Sequence, residues 1–376
     1  MTYQRHGLSS LQECLGDLLV YRSLRPVDRR LPSLSDLHLG CGVPPGTVPR
    51  KAEPGFGRVV AEMLRSARQL DLAGARIRRL VYLGDTRMND GIAFRNLCVA
   101  GDWAGWAFIG RDDLSQPRLT KVEDGLYLAN RWSALPGFFQ FLERERFALD
   151  AETALVVDVD KTLIGARGRN DRLIDEARVE AVQHTVGELL GTRFDAAAFR
   201  SVYDELNQPA YHAFTEDNQD YLAYVCLMLC SGLFSLGALL PEARSGSLRF
   251  AEWVARVEAR REELSATGLM TVHDQIRDRM RSGDPTPFKA FRHHEYLTTA
   301  ARFGDVPGAA VEHVLAQRIC ITAEVERAID VARGAGALVF GLSDKPDEAA
   351  SPGEEQAQAG LQPLERLETA CIGEAH

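Results

Sequence analysis

The chain has 376 residues, 45% hydrophobic and 26% charged, with a formal net charge of −9. This is globular composition, long enough for two compact domains or one large one. The acidic balance excludes a general nucleic-acid surface, which needs a basic face to replace counterions, and leaves room only for local basic pockets.

Residues 1–47 read as an N-terminal arm, with a helix expected in LSSLQECLGDLLVYRSL (8–24) and a loop in PSLSDLHLGCGVPPG. Further on, Phe56, Val59, Val60, Met63 and Leu64 recur at i, i+3, i+4, i+7 and i+8, predicting a helix that opens near Pro54, just after Lys51. A short apolar strand, Leu80 to Leu83, runs into Gly84-Asp85, and Asp90 follows five residues later. Strands are expected near WAGWAFIG (103–110) and GLYLANRW (125–132), and a helix near PGFFQFLERERFAL (136–149).

Leu155, Val156 and Val157 lack polar alternation, as in a strand buried on both faces of a parallel sheet. The strand ends in Asp158-Val159-Asp160, which can aim two carboxylates at one point beyond the carboxyl end of the sheet. Like charges that close call for a cation or a ligand. An Asx-rich turn is the bland alternative, weakened here by the apolar strand before the pair and by Lys161-Thr162-Leu163 after it.

From about 171 to 312 the pattern is helical, with polar breaks at SATG and RSGDPTP. Within it, 221–240 is a run of 20 uncharged residues, long enough to span a bilayer. The break at Ser231-Gly232, the small and polar residues in the run and the absence of basic anchors predict a buried helix or helix pair instead. VERAIDVARGAGA then reads as a helix closed by glycine, followed by the apolar strand ALVFGL and Ser343, with Lys345 two residues on. The seven cysteines form no C-x-x-C pair, and Cys226 and Cys230 are one helical turn apart and expected to pack. Reduced thiols, a cytoplasmic location and no signal peptide are the expectation.

The segment DVDKT (158–162), placed after an apolar strand, resembles motif I of the haloacid dehalogenase superfamily, most of whose members are phosphatases. The resemblance implies a Rossmann-like α/β core with a parallel sheet and an inserted, mainly helical cap. It implies that Asp158 is the nucleophile, Asp160 the general acid/base, and Thr162 an ordering hydroxyl at the phosphate site. GARGRND (165–171) resembles the mobile flap after this strand. Ser343 then corresponds to the second motif, which holds a phosphoryl oxygen.

The two remaining motifs lie at the front of the chain. GDTRMND (84–90) resembles the fourth motif, whose acidic residues complete a magnesium site, and this implies Asp85 with Asp90 or Asn89 beside Asp158 and Asp160. Lys51 resembles the lysine of the third motif, with Lys345 as a competitor. The order third, fourth, first, cap, second implies a circularly permuted core: 1–47 arm, 48–170 first part, 171–312 cap, 313–376 second part. The tail LERLETACIG (364–373) is then expected to supply the strand leading into the lysine helix.

The implied activity is magnesium-dependent hydrolysis of a small phosphorylated metabolite through an aspartyl-phosphate. Two alternatives stay open: a phosphotransferase with an acceptor other than water, and a non-catalytic protein that binds phosphorylated ligands. Arg256, Arg260, Lys289, Arg292, His293 and His294 are polar candidates in the cap, each equally readable as surface charge. Nucleic acid and membrane are not expected partners, and a homodimer through the cap is left open.

Overall fold

The computed structural model describes residues 2–375. Its strands in chain order are β1 (Tyr3–Ser9), β2 (Leu19–Val20), β3 (Arg79–Gly84), β4 (Ala104–Gly110), β5 (Thr120–Glu123), β6 (Leu126–Ala129), β7 (Thr153–Asp158), β8 (Ile321–Thr322), β9 (Leu338–Leu342) and β10 (Thr369–Glu374). Seven form one sheet in the order β2-β9-β7-β3-β4-β6-β5, parallel throughout except where β5 turns back on β6.

The absence of alternation in β3, β7 and β9 has a direct cause, since both faces of these strands are covered. Leu80, Tyr82, Ala154, Val156 and Phe340 pack beneath the helices Pro54–Asp71 and Asn89–Gly101. The intervening Val81, Leu83, Leu155 and Val157 point the other way and are fully buried too. On that face Phe108 of β4 meets Phe138 of the helix Leu135–Arg144, with ring centroids 5.7 Å apart. Each such apolar side chain contributes about 1.5–3 kcal/mol when fully buried, so a polar replacement inside these strands is costly.

Two expectations for the ends of the chain are corrected. The helix expected across 8–24 stops at Leu11–Leu15: Ser10 and Glu13 cap its start, and Gly16, at φ +62°, ends it. The chain then enters the main sheet as β2 beside β9, so 1–47 is not an arm. The tail strand β10 pairs antiparallel with β1 and parallel with β8 in a separate three-stranded sheet, and does not lead into the lysine helix. Ala370 and Ile372 of β10 are buried against Val314 and Cys320.

The chain divides into two compact units, Met1–Glu176 with Thr299–His376, and Ala177–Thr298. The second is narrower than the expected 171–312, because Val306, Ala309 and Val311 pack against Val314, Cys320, Ala370 and Ile372 of the first. It is helical. Its central helix, Gln219–Cys230, buries Leu222 through Leu229 continuously. Gly232, at φ +80°, breaks the apolar run before the helix Leu236–Ser245, so 221–240 is two helices with a turn between them. Among the described residues no helix is long and apolar enough to cross a membrane.

Candidate functional site

Adjacency in the sheet creates the site. β9, β7 and β3 are parallel neighbours, so their carboxyl ends lie side by side and deliver Ser343, Asp158 and Asp85 to one edge. Asp85, Asp90 and Asp158 each offer a carboxylate oxygen, and these oxygens lie within 4.8 Å of one another.

Asp90 arrives from the first turn of the helix Asn89–Gly101. It fits because Gly84 has no side chain: a Cβ there would stand 2.6 Å from the Asp90 Cβ. Asp90 Oδ2 accepts from the Asp85 N–H (3.2 Å), the Thr86 N–H (2.9 Å) and the Thr86 hydroxyl (2.9 Å), and Tyr82 donates to Oδ1 at 3.2 Å. Burial alone would raise this carboxyl, but the Lys51 ammonium and these hydrogen bonds hold it below the usual range. Asn89, one residue earlier, is exposed, and Asp90 is the residue that joins the cluster.

Lys51 is buried at the centre of these acids. It donates to Asp158 Oδ1 and lies 3.4 Å from Asp90 and 3.6 Å from Asp344. Burial opposes its charge, but Asp158, Asp344 and Asp90 outweigh burial and raise its pKa. Thr162 donates to the other Asp158 oxygen at 3.0 Å. Burial pushes the Asp158 carboxyl up, Lys51 pulls against it, and the Asp90 and Asp85 charges add to the push. Arg167 donates to Asp85 Oδ2. Burial and the Asp90 charge nevertheless push Asp85 up to about 7.

The second acid of the pair takes a different environment. Leu163 N–H and Ile164 N–H return to the carbonyls of Asp158 and Val159, a turn that places Lys161 at φ +65°. Asp160 Oδ2 accepts from the Ser343 hydroxyl at 2.5 Å, and that hydroxyl accepts from the Lys345 N–H at 3.0 Å. Asp160 Oδ1 is buried without a hydrogen-bond partner, with Lys345 Nζ 3.9 Å away. Both candidate lysines therefore reach the cluster, Lys51 at Asp158 and Lys345 at Asp160.

This donor set suits a hard divalent cation, because every ligand atom is a carboxylate oxygen. The charges agree. Fully ionised, Asp85, Asp90, Asp158, Asp160 and Asp344 would face Lys51, Lys345 and Arg167 two positive charges short of balance, and the upward push on Asp158 and Asp85 reflects that excess of acid. A second close group, Glu258 with His273 and Asp274, is already paired with Arg261 and Arg277.

Segment 165–171 is not free. Arg169 is buried in ion pairs with Asp112 and Glu324, both at 2.9 Å, and Asn170 donates to the Arg318 carbonyl at 2.8 Å. The polar candidates of the second unit are engaged locally: Arg292 with Asp220 and Glu295, Arg256 with Glu242, Arg260 with Glu263, Lys289 with Asp284, and His294 with Thr185 and Glu188. His293 is not among the cluster-forming residues.

Sequence reasoning missed Tyr82, Thr86, Arg167 and Asp344. Tyr82 reads as one more apolar strand residue, and Arg167 as a flap residue. Asp344 and Thr86 carried a signal, each being a polar neighbour of a singled-out position at a strand end. Comparison of the chain with protein-family models, with curated proteins and with solved structures gives no match.

Proposed function

We propose that this chain is a magnesium-dependent phosphatase of the haloacid dehalogenase type, on a circularly permuted core, hydrolysing a small phosphorylated metabolite through an aspartyl-phosphate. The observation that carries the reading is the meeting of Asp85, Asp90 and Asp158 within 4.8 Å, although Asp85 and Asp158 come from distant parts of the chain. Permutation leaves such a site intact, because it depends on which strand ends are neighbours and not on the order in which the chain visits them.

Asp158, held in place by hydrogen bonds from Lys51 and Thr162, attacks phosphorus as the carboxylate, and the new O–P bond forms as the bond to the leaving oxygen breaks. Asp160 delivers a proton to that oxygen. Asp160 then accepts a proton from the water that attacks the aspartyl-phosphate, which releases phosphate and restores Asp158. Lys51 offsets charge on the phosphoryl oxygens, and Ser343 and Lys345 orient Asp160 and the phosphate beside it. A magnesium ion, which Asp158, Asp85 and Asp90 would hold, supplies charge screening between the attacking carboxylate and the phosphoryl group.

The test is phosphate release from para-nitrophenyl phosphate, with and without magnesium, by the wild type and by Asp158→Asn. Magnesium-dependent release by the wild type alone is expected. Release that survives the substitution rejects the nucleophile. No release by either protein, on this substrate or on a panel of phosphorylated metabolites, favours a non-catalytic binding protein.

A further inference from the structure

Arg167 is the accessible cation of the acidic cluster. Its side chain is 35% exposed, whereas those of Lys51 and Lys345 are 5% and 4% exposed. It donates through Nε to Asp85 Oδ2, and among the described residues its two Nη groups make no hydrogen bond or ion pair.

The backbone at this position is fixed on both sides. The Arg167 N–H donates to the Lys161 carbonyl at 2.8 Å, and the Arg167 carbonyl accepts from the Asp112 N–H at 2.8 Å and from Trp132 Nε1 at 3.2 Å. Gly168, at φ +78°, lies so close to Asp112 that a Cβ would stand 1.9 Å from its carbonyl oxygen. The guanidinium is therefore the movable end of a residue anchored beside the cluster. Its one side-chain partner, Asp85, offers an oxygen within 4.8 Å of Asp90 and Asp158.

Asp85 cannot serve Arg167 and a divalent cation equally. A guanidinium beside the ion adds a like charge, and its hold on Asp85 weakens as the cation takes the carboxylate. Once released, it carries planar, paired donors that match two oxygens of a phosphoryl group.

We propose that Arg167 exchanges partners: it occupies Asp85 while the cation is absent, gives that carboxylate up to the cation, and turns its guanidinium to the phosphoryl oxygens of the substrate. The identity of the two ligands rests on the phosphatase reading. The consequence is an order of binding, with the cation preparing the residue that captures the phosphate.

The test is two binding measurements on the full chain, for the wild type, Arg167→Gln and Arg167→Lys. Magnesium is titrated by calorimetry at about pH 9, where a proton on Asp85 no longer competes. Inorganic phosphate is titrated into the magnesium-saturated proteins near neutral pH and followed by phosphorus NMR. In Arg167→Gln, magnesium is expected to bind about tenfold more tightly, because no ion pair has to be broken, and phosphate about tenfold more weakly, because a charge-assisted hydrogen bond is lost. Arg167→Lys keeps the charge and is expected to return both affinities towards the wild type. A purely structural role would not move the two affinities in opposite directions. Magnesium affinity that is unchanged or weaker in Arg167→Gln overturns the displacement, and so does a wild type that binds no magnesium. Unchanged phosphate affinity would send the released guanidinium to Asp171 or Asp175, whose charges act on it already, and overturns the capture. Neither measurement involves turnover. A wild type that shows these shifts but hydrolyses no phosphate ester therefore fails the phosphatase reading alone, and one that hydrolyses esters with both affinities unmoved by Arg167→Gln fails the exchange alone.

Discussion

Lys51 and Asp158 form a buried ion pair although 107 positions separate them in the chain. The ammonium precedes the helix Pro54–Asp71 and the carboxylate ends β7, so the pair ties the front of the chain to the middle of the sheet. Removing Lys51 alone leaves both Asp158 and Asp90 without their cation, whereas removing Asp158 as well leaves only Asp90. Lys51→Met is therefore expected to lower the unfolding free energy by about 3 kcal/mol, and the double variant Lys51→Met/Asp158→Asn to recover part of that loss. Urea unfolding of the three proteins without metal checks this. Equal instability of the single and double variants would mean that Lys51 stabilises through packing and not through its charge.

Asp85 makes the site sensitive to pH. Its carboxyl stands at about 7 against an ordinary 3.8, because burial and the Asp90 charge outweigh Arg167. Between those values the folded, metal-free protein holds a proton that the unfolded chain has released. Stability from this group is thus greatest at low pH, falls as pH rises from about 4 to about 7, and is level above that, a loss of up to about 4 kcal/mol. Comparing metal-free wild type with Asp85→Asn at about pH 5 and about pH 8 isolates this contribution, since the variant lacks the titration. A divalent cation must displace the same proton, so its affinity is expected to weaken about tenfold per unit below pH 7, as measured by manganese titration. A dissociation constant that is flat between pH 6 and pH 8 would remove Asp85 from the ligand set.

Asp160 separates two kinds of substrate. Its proposed role as proton donor matters for an alkyl phosphate, whose leaving oxygen is strongly basic, and little for para-nitrophenyl phosphate, whose leaving group departs as the anion. Asp160→Asn is therefore expected to lower kcat by roughly 10²–10⁴ on alkyl phosphates. On the aryl ester the first step survives, and phosphorylated enzyme accumulates for want of a base to activate water. Equal losses on both substrates, with no phosphoenzyme trapped by acid quench, would reduce Asp160 to a positioning residue for Ser343.

What could be read from the residues alone was whatever is local. The runs Leu80–Leu83, Leu155–Val157 and ALVFGL announce buried strands, and the polar residue at which each stops announces a sheet edge. The helix after Lys51 follows from its apolar spacing. Strand adjacency is non-local, so the meeting of Asp85 with Asp158 rested on resemblance until the sheet order placed β3 beside β7. β1 escaped notice because YQRHGLS has no apolar alternation and acquires its strand conformation from β10, more than 300 positions away; a strand was expected in the tail, but its partners in a separate sheet were not. The choice between Asn89 and Asp90 turned on one helical position, which the missing side chain of Gly84 decides.

Gly84 supplies the last prediction. Its φ is negative, so alanine is conformationally allowed there, and the difficulty is space. A Cβ would stand 2.6 Å from the Asp90 Cβ and 2.7 Å from its Cγ, atoms too close to the backbone to swing aside. Gly84→Ala must therefore shift the first turn of the helix Asn89–Gly101 and withdraw the Asp90 carboxylate from Asp85 and Asp158. An overpacked site of this kind costs about 1–3 kcal/mol, so the protein should still fold. Cation binding suffers separately, because one of three carboxylates has moved. In the wild type, magnesium at 100 times its dissociation constant is expected to add about 2.7 kcal/mol to the unfolding free energy, and in Gly84→Ala most of that increment should vanish. Thermal unfolding of both proteins with and without magnesium measures it. A folded Gly84→Ala protein that keeps the full increment would show that Asp90 is not needed to hold the ion.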